Sequence, residues 1–285
     1  MRTHPLTAMS VSVFLLLSAG AVAQTEASPE HGAEETGKTP PEHDATELSK
    51  ATQNPVGDLL SVPFQFNFNT GGGLEDRTFF LLNFQPVIPI KLSSNWNLIA
   101  RTIVPVIDAP GPEGTRFRGI GDVQEQLFFA PAKSGGFIWG LGPVLSLPTA
   151  TVDSVRTGSW AAGPSGVLVV MTGPWVVGGL ASQLWTFEDE GGAPRINQLS
   201  FQYFINYNFS GGWALVTAPV LTANWEATRG ERWTVPVGIG VSKTTVFRRQ
   251  PLSLAVQYYH NVVRPDDAAA NQLRFVFSLL FPTKK

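Results

Sequence analysis

Residues 60–69, LSVPFQFNFN, alternate with period two: Leu60, Val62, Phe64, Phe66 and Phe68 on one side, Ser61, Gln65, Asn67 and Asn69 on the other. That period places successive side chains on opposite faces of an extended chain, so the run predicts a strand with one apolar and one polar face. The pattern returns in TFFLLNFQPVIPI, where Phe80, Leu82, Phe84, Ile88 and Ile90 oppose Asn83 and Gln85. It returns again in WNLIARTIVPV, with Trp96, Leu98, Ala100 and Val104 against Asn97 and Arg101, and in NQLSFQYFINYNF. The last run, QLRFVFSLLF, sets Leu273, Phe275, Phe277, Leu279 and Phe281 on one uniformly large, apolar face.

Twelve such runs can be placed, over 59–69, 77–90, 96–106, 119–130, 136–148, 159–172, 175–187, 196–209, 213–225, 231–243, 250–261 and 271–281. The sixth, seventh and ninth are apolar on both faces or rich in Gly, and spacing alone places them. The lengths are near the ten or so residues that a tilted membrane strand needs. The connections alternate. KLSSN, PAKSGG, TGP, FSGG and TTVFRRQP are compact; TGGGLEDR, IDAPGPEGTRFRG, TATVDSVRTGS, EDEGGAPR, EATRGE and VVRPDDAAAN are mostly longer. An up-and-down meander gathers each set at one end, as in an outer-membrane barrel with short periplasmic turns and longer external loops.

The expected fold is therefore all-β: a transmembrane antiparallel up-and-down barrel of about twelve strands, over residues 54–285. An even count puts both termini on the periplasmic side. Closure also disposes of the exposed edge that a strand ending in bare Phe would otherwise present. The eight Trp residues fall near strand ends, where indole rings favour the level of the lipid headgroups. Prolines inside the runs count against the reading, because each removes a ladder hydrogen bond; Pro219 and Pro236 are the hardest to accommodate.

Composition agrees with a barrel. Mean hydropathy is near zero, at +0.05, which alternating strands produce while carrying a strongly apolar surface. MRTHPLTAMSVSVFLLLSAGAVAQ has the layout of a cleaved signal peptide over 1–23, so export to the outer membrane of a Gram-negative bacterium is expected. The segment 24–53 is acidic and Pro-rich and reads as a disordered, solvated periplasmic lead-in. Within it ATELSKATQ can form a short helix that Asn54-Pro55 stops, and His31 and His43 read as solvated. There is no Cys, so no disulfide framework holds the exported fold. The formal net charge of −2 gives no reason to expect a nucleic-acid partner.

The polar face of each strand turns inward. The residues expected to line the solute path are Gln65, Asn67, Asn83, Gln85, Asn97, Arg101, Asp122, Gln124, Glu125, Gln202, Asn206 and Arg274. Amides with few charges suit small neutral or amphipathic solutes, although the same amides could bond to one another and fill the lumen. Simple alternation leaves Glu125 facing lipid. A bulge would turn it inward toward Arg101, and the expectation is that bulge with an Arg101–Glu125 pair. Catalysis is not expected. His260 lies on an apolar strand face with no Ser nucleophile at motif spacing, and GPSG at 163–166 is not a nucleophile elbow. The alternatives are a plugged structural or binding barrel without transport, an outer-membrane hydrolase, and a secreted β-sandwich, which would not explain the alternating connections.

Several stretches, NPVGDLLSVPFQFNFN, NFQPVIPIKLSSNWNLIARTIVPV, GIGDVQEQLFFAP, IWGLGPVLSLPTAT, GPWVVGGLASQLWTF and WTVPVGIGVSK, resemble the outer-membrane family associated with the meta-cleavage pathway of phenol degradation. The resemblance runs from Asn54 nearly to the end. It implies a transporter-like barrel that passes aromatic or other apolar compounds, and it carries no catalytic residues and no cofactor. The expected partners are outer-membrane lipid and lipopolysaccharide, the barrel-insertion machinery and a small-molecule solute. The terminal PTKK departs from the final aromatic that insertion signals carry.

Overall fold

The structure is a computed structural model that describes residues 42–72, 76–133, 135–152, 156–189 and 195–282. The expected signal peptide, His31 and most of the polar lead-in lie outside the described residues. One helix, α1 (Glu42–Thr52), precedes fifteen strand segments: β1 (Leu59–Thr70), β2 (Phe79–Phe84), β3 (Val87–Lys91), β4 (Trp96–Pro110), β5 (Arg116–Ile120), β6 (Val123–Pro131), β7 (Phe137–Leu147), β8 (Ser159–Thr172), β9 (Trp175–Asp189), β10 (Asn197–Asn208), β11 (Trp213–Thr217), β12 (Val220–Asn224), β13 (Trp233–Phe247), β14 (Gln250–Val263) and β15 (Asn271–Pro282).

Three pairs of segments, β2–β3, β5–β6 and β11–β12, are single staves interrupted midway, which leaves twelve staves, all paired antiparallel. The first and last close the barrel in an unbroken register from Leu59↔Pro282 to Thr70↔Asn271. Along this seam the outer face carries an aromatic ladder: Phe64 lies 5.1 Å from Phe84 and 6.1 Å from Phe277, and Phe68 lies 5.1 Å from Phe80 and 6.1 Å from Phe275. Ring pairs of this kind add about 0.5–1.5 kcal/mol each beyond their buried area. The face of β15 that alternation marked as apolar is the outer one, and β1 covers its edge.

The interruptions follow the sequence. Pro86 separates β2 from β3 and Pro219 separates β11 from β12, where a missing N–H would otherwise break the ladder. Backbone bonds from Gln85 N–H to Pro63 O (2.9 Å) and from Thr102 N–H to Pro86 O (3.2 Å) bridge the first gap. Pro236 sits at a register shift against β14. The expected loop over 107–118 is shorter than alternation suggested, because β4 and β5 prolong their hairpin to a turn at 111–115. Arg116 and Arg118 hold Asp108 there, the latter at 3.1 Å.

One rim, here the near rim, carries the start of β1 and the end of β15. Trp96, Trp139, Trp175 and Trp213 lie at this rim and Trp160, Trp185, Trp225 and Trp233 at the other. Several are edge-packed, as in Trp96–Trp139 at 6.0 Å and Trp225–Trp233 at 5.6 Å. At the near rim β13 and β14 are joined by Arg248-Arg249 alone, with φ of 46° and 72°. Both residues occupy the left-handed region that a two-residue hairpin turn demands and that Asn-Gly would enter at less cost.

Candidate functional site

The inner wall has two unlike halves. On β4 and β6–β9 the inward side chains are largely apolar, and Ile99, Phe128, Val167, Val176 and Leu180 form one buried cluster with Phe204 of β10. This explains why the runs over 159–172 and 175–187 read as apolar on both faces: one face meets the outside and the other meets this interior core. The remaining inner wall, from β1 to β4 and β10 to β15, is polar and encloses two cavities. One, of about 230 Å³, lies toward the near rim and is lined in part by Gln65, Gln85, Arg101, Gln202, Asn206 and Arg274. The other, of about 460 Å³, lies toward the far rim and is lined in part by Asn69, Arg77, Asp267, Gln272 and Arg274. Arg274 is the residue common to both linings.

Arg274 is held on every side. Its Nε donates to Asn67 Oδ1 (3.0 Å), Nη1 to Ala218 O (3.0 Å) and Gln257 Oε1 (3.5 Å), and Nη2 to Gln272 Oε1 (2.8 Å). Its guanidinium lies 4.8 Å from the centre of the Tyr259 ring. Asn67 and Gln257 occupy the register positions opposite Arg274 on the two neighbouring strands, so the sheet itself delivers them. Ala218 comes from the β11–β12 break. Its carbonyl accepts from Arg274 and also from Gln202 (3.3 Å), while its N–H donates to the Tyr259 hydroxyl (3.0 Å). The break before Pro219 thus frees a peptide whose two polar groups serve the lumen. Space for Tyr259 is left by Gly238, where a Cβ would come within 2.7 Å of the Tyr259 ring.

Arg101 donates to Gln85 Oε1 (2.8 Å) and Gln126 Oε1 (3.1 Å). The expected bulge at Glu125 does not form. The β4–β6 register runs without a shift from Trp96↔Pro131 to Ile103↔Gln124, so Arg101 opposes Gln126 and Thr102 opposes Glu125. Arg101 and Glu125 therefore occupy opposite faces and cannot pair. Glu125 is outward and half-buried, and accepts a 2.6 Å hydrogen bond from the Thr102 hydroxyl. That bond meets part of the carboxylate's demand, which makes the outward position tolerable without a bulge. A Glu125→Leu barrel should unfold at higher denaturant, by up to about 2 kcal/mol, with unaltered lumen properties, because a carboxylate on a lipid-facing wall is costly. Denaturant titration in lipid vesicles measures this.

The other expected inner-wall residues are distributed as follows. Asn67 is buried, and Asn83 opposes Gln65 across β1–β2. Asn97 is buried near the near rim and donates to Asp58 Oδ1 at 2.6 Å, away from the two cavities that meet at Arg274. Gln124 opposes Ile103 on the inner face. Asp122 is not a lining residue of either cavity. Its carboxylate accepts from Ala150 N–H (2.9 Å) and Thr157 N–H (3.0 Å), tying the β7–β8 connection to the wall. Alternation puts Gln126, a partner of Arg101, inside with Asp122 and Gln124; the partners of Arg274 that it missed include Gln257, Tyr259 and Gln272. The run SLAVQYYH does place Gln257 and Tyr259 on one face, two residues apart.

At the near rim α1, the short helix expected over 45–53, docks on the end of β10 and the turn after it. An eleven-residue helix is marginal by itself, and this one is fixed by docking rather than left in solvent. Thr46, Ser49 and Gln53 recur along one of its faces. Ser49 Oγ donates to Asn208 Oδ1 (2.9 Å), and the Gln53 and Asn208 amides exchange reciprocal bonds of 2.9 and 3.0 Å. Thr46 meets the 209–212 turn, donating to Phe209 O at 3.3 Å. From the end of the helix Thr52, Gln53, Asn54 and Pro55 line the smaller cavity, and Val56 enters the apolar cluster.

On the outer face Tyr258 and His260 both reach Asn271 Oδ1, at 2.7 and 2.9 Å, within the far-rim girdle. Among the described residues no three acids or histidines converge as metal ligands.

No family model and no curated protein matches the sequence. Solved structures do share its fold. An outer membrane channel from Pseudomonas putida F1 is 14% identical and aligns over 78% of this chain and 94% of that one, with a TM-score of 0.58. The NanC porin is 11% identical and aligns over 79% of this chain and all of its own, with a TM-score of 0.50. The chain is a closed twelve-stranded antiparallel barrel of the outer-membrane kind.

Proposed function

We propose that this barrel is an outer-membrane channel for passive passage of small organic solutes, with its near rim and α1 on the periplasmic side. The observation that carries the reading is the pair of polar cavities that meet at Arg274 inside the closed wall. The kinship of fold with a bacterial outer membrane channel and a porin supports it. An aromatic-banded outer wall suits a lipid and lipopolysaccharide environment reached through a cleaved signal peptide and the barrel-insertion machinery.

The lumen is narrow, as expected between filled eight-stranded barrels and open sixteen-stranded porins. Amides and the Phe204 wall accept uncharged or aromatic bodies, which agrees with the resemblance to the phenol-pathway family. Two inward guanidiniums, bonded only to amides and a carbonyl, add a preference for negative charge. The likeness of fold to a channel and a porin supports transport over hydrolysis.

Liposome flux with a graded solute panel, including phenolics and small carboxylates, tests the proposal. Passage of small solutes with a sharp size limit is expected. Flux no greater than that of protein-free liposomes would leave a filled structural or binding barrel, the reading that the docked α1 favours.

A further inference from the structure

The smaller cavity contains more unmet recognition capacity than a water-filled constriction requires. Asn206 is 4% exposed and lines this cavity, yet its side-chain oxygen has no hydrogen-bond partner. A buried, unpaired amide oxygen costs about 1–3 kcal/mol, so native structures seldom keep one without a reason. Two guanidiniums line the same cavity. Arg274 is 5% exposed and, like Arg101, has no carboxylate among its bonded partners. Burying a cation without a counter-charge costs several kcal/mol, which neutral hydrogen bonds offset only in part. Phe204, Val216 and Ala218 provide an apolar side.

We infer that this cavity is a binding site for a compact monocarboxylate that has an apolar body and a hydroxyl donor. The carboxylate would take charge-assisted hydrogen bonds from the guanidiniums, each of which has five N–H donors. The apolar body would lie against Phe204 and its neighbours, and the hydroxyl would donate to the unpaired oxygen of Asn206. A cavity of about 230 Å³ has room for a single ring or a short chain. The inference rests on the channel reading only in that the bound molecule would be a solute the channel passes.

The test is equilibrium binding to the purified full-length barrel in detergent, by calorimetry, with three probes of matched length: ω-hydroxyhexanoate, hexanoate and hexanediol. The hydroxy acid should bind tightest. Loss of the hydroxyl should weaken binding about twofold to tenfold, and loss of the carboxylate about tenfold to a hundredfold. Asn206→Leu should abolish the preference for the hydroxy acid over hexanoate. Arg274→Gln and Arg101→Gln should each weaken both acids more than hexanediol, and heat-dependent migration on gels shows whether each variant is folded. The inference is overturned if hexanediol binds as tightly as the hydroxy acid, if folded Asn206→Leu keeps the preference, or if no probe binds. Binding without liposome flux would sustain the site and sink the channel; flux without binding would do the reverse.

Discussion

Arg274→Gln should abolish most of the lumen's preference for anions while the barrel still folds. Arg274 stands where the two cavities meet, so a permeating ion must pass its guanidinium. At an effective dielectric of about 20, a monovalent anion ~8 Å from that charge gains roughly 2 kcal/mol, about thirtyfold in occupancy. Glutamine retains a donor for Asn67 and removes the charge. Reversal potentials across planar bilayers under a salt gradient should therefore move strongly toward zero. Arg274→Leu should behave differently. Asn67, Gln257, Gln272 and the Ala218 carbonyl would each lose a partner, at about 1–3 kcal/mol for every group left buried and unsatisfied. That variant should insert poorly or unfold early. A reversal potential unchanged by Arg274→Gln would show that the ion path avoids this residue.

Releasing α1 should have the second large effect, on conductance rather than selectivity. The helix is fixed to the wall by the Gln53–Asn208 amide exchange and the Ser49 hydroxyl, and the residues after it line the smaller cavity. A barrel lacking Glu42–Thr52, or carrying Asn208→Leu, should conduct severalfold more than the parent, with larger current noise in the Asn208→Leu form. Stability should fall only modestly, because the twelve staves keep every ladder bond and the helix adds few apolar contacts. Equal conductance in all three proteins would mean that α1 does not obstruct the path.

The strands were legible in the sequence because each must present one face to lipid. The outer residues of β1, β10 and β15 are mostly large and apolar, and their inner residues are mostly amides, Ser or Arg, with Pro63, Phe204, Val276 and Leu280 among the exceptions. Legibility failed where the inside is apolar too. On β8 and β9 both faces read alike, because Val167, Val176 and Leu180 pack into the lumen instead of lining water. At Glu125 the pattern itself was right and the added bulge wrong: the Thr102 hydroxyl on the neighbouring strand, invisible to an argument along one chain, makes the outward carboxylate tolerable. The docking of α1 was hidden for a related reason, since its contact face is Thr46, Ser49 and Gln53 rather than an apolar stripe. Pro219 looked like a flaw in a strand and marks the break from which Ala218 serves Arg274 and Tyr259. A proline that disturbs an otherwise regular inward-facing run is thus a signal for lumen construction.

The chain has no Cys, so a single introduced thiol reports one position without background. Gln202 lines the smaller cavity on the inner face of β10, and its neighbour Phe201 is on the outer face, 38% exposed. With Gln202→Cys in a planar bilayer, a bulky water-soluble thiol reagent should reduce the current irreversibly, and with Phe201→Cys the same reagent should leave it unchanged. Absence of current in the untreated proteins, or equal block of both, would contradict a water path along the polar wall of this barrel.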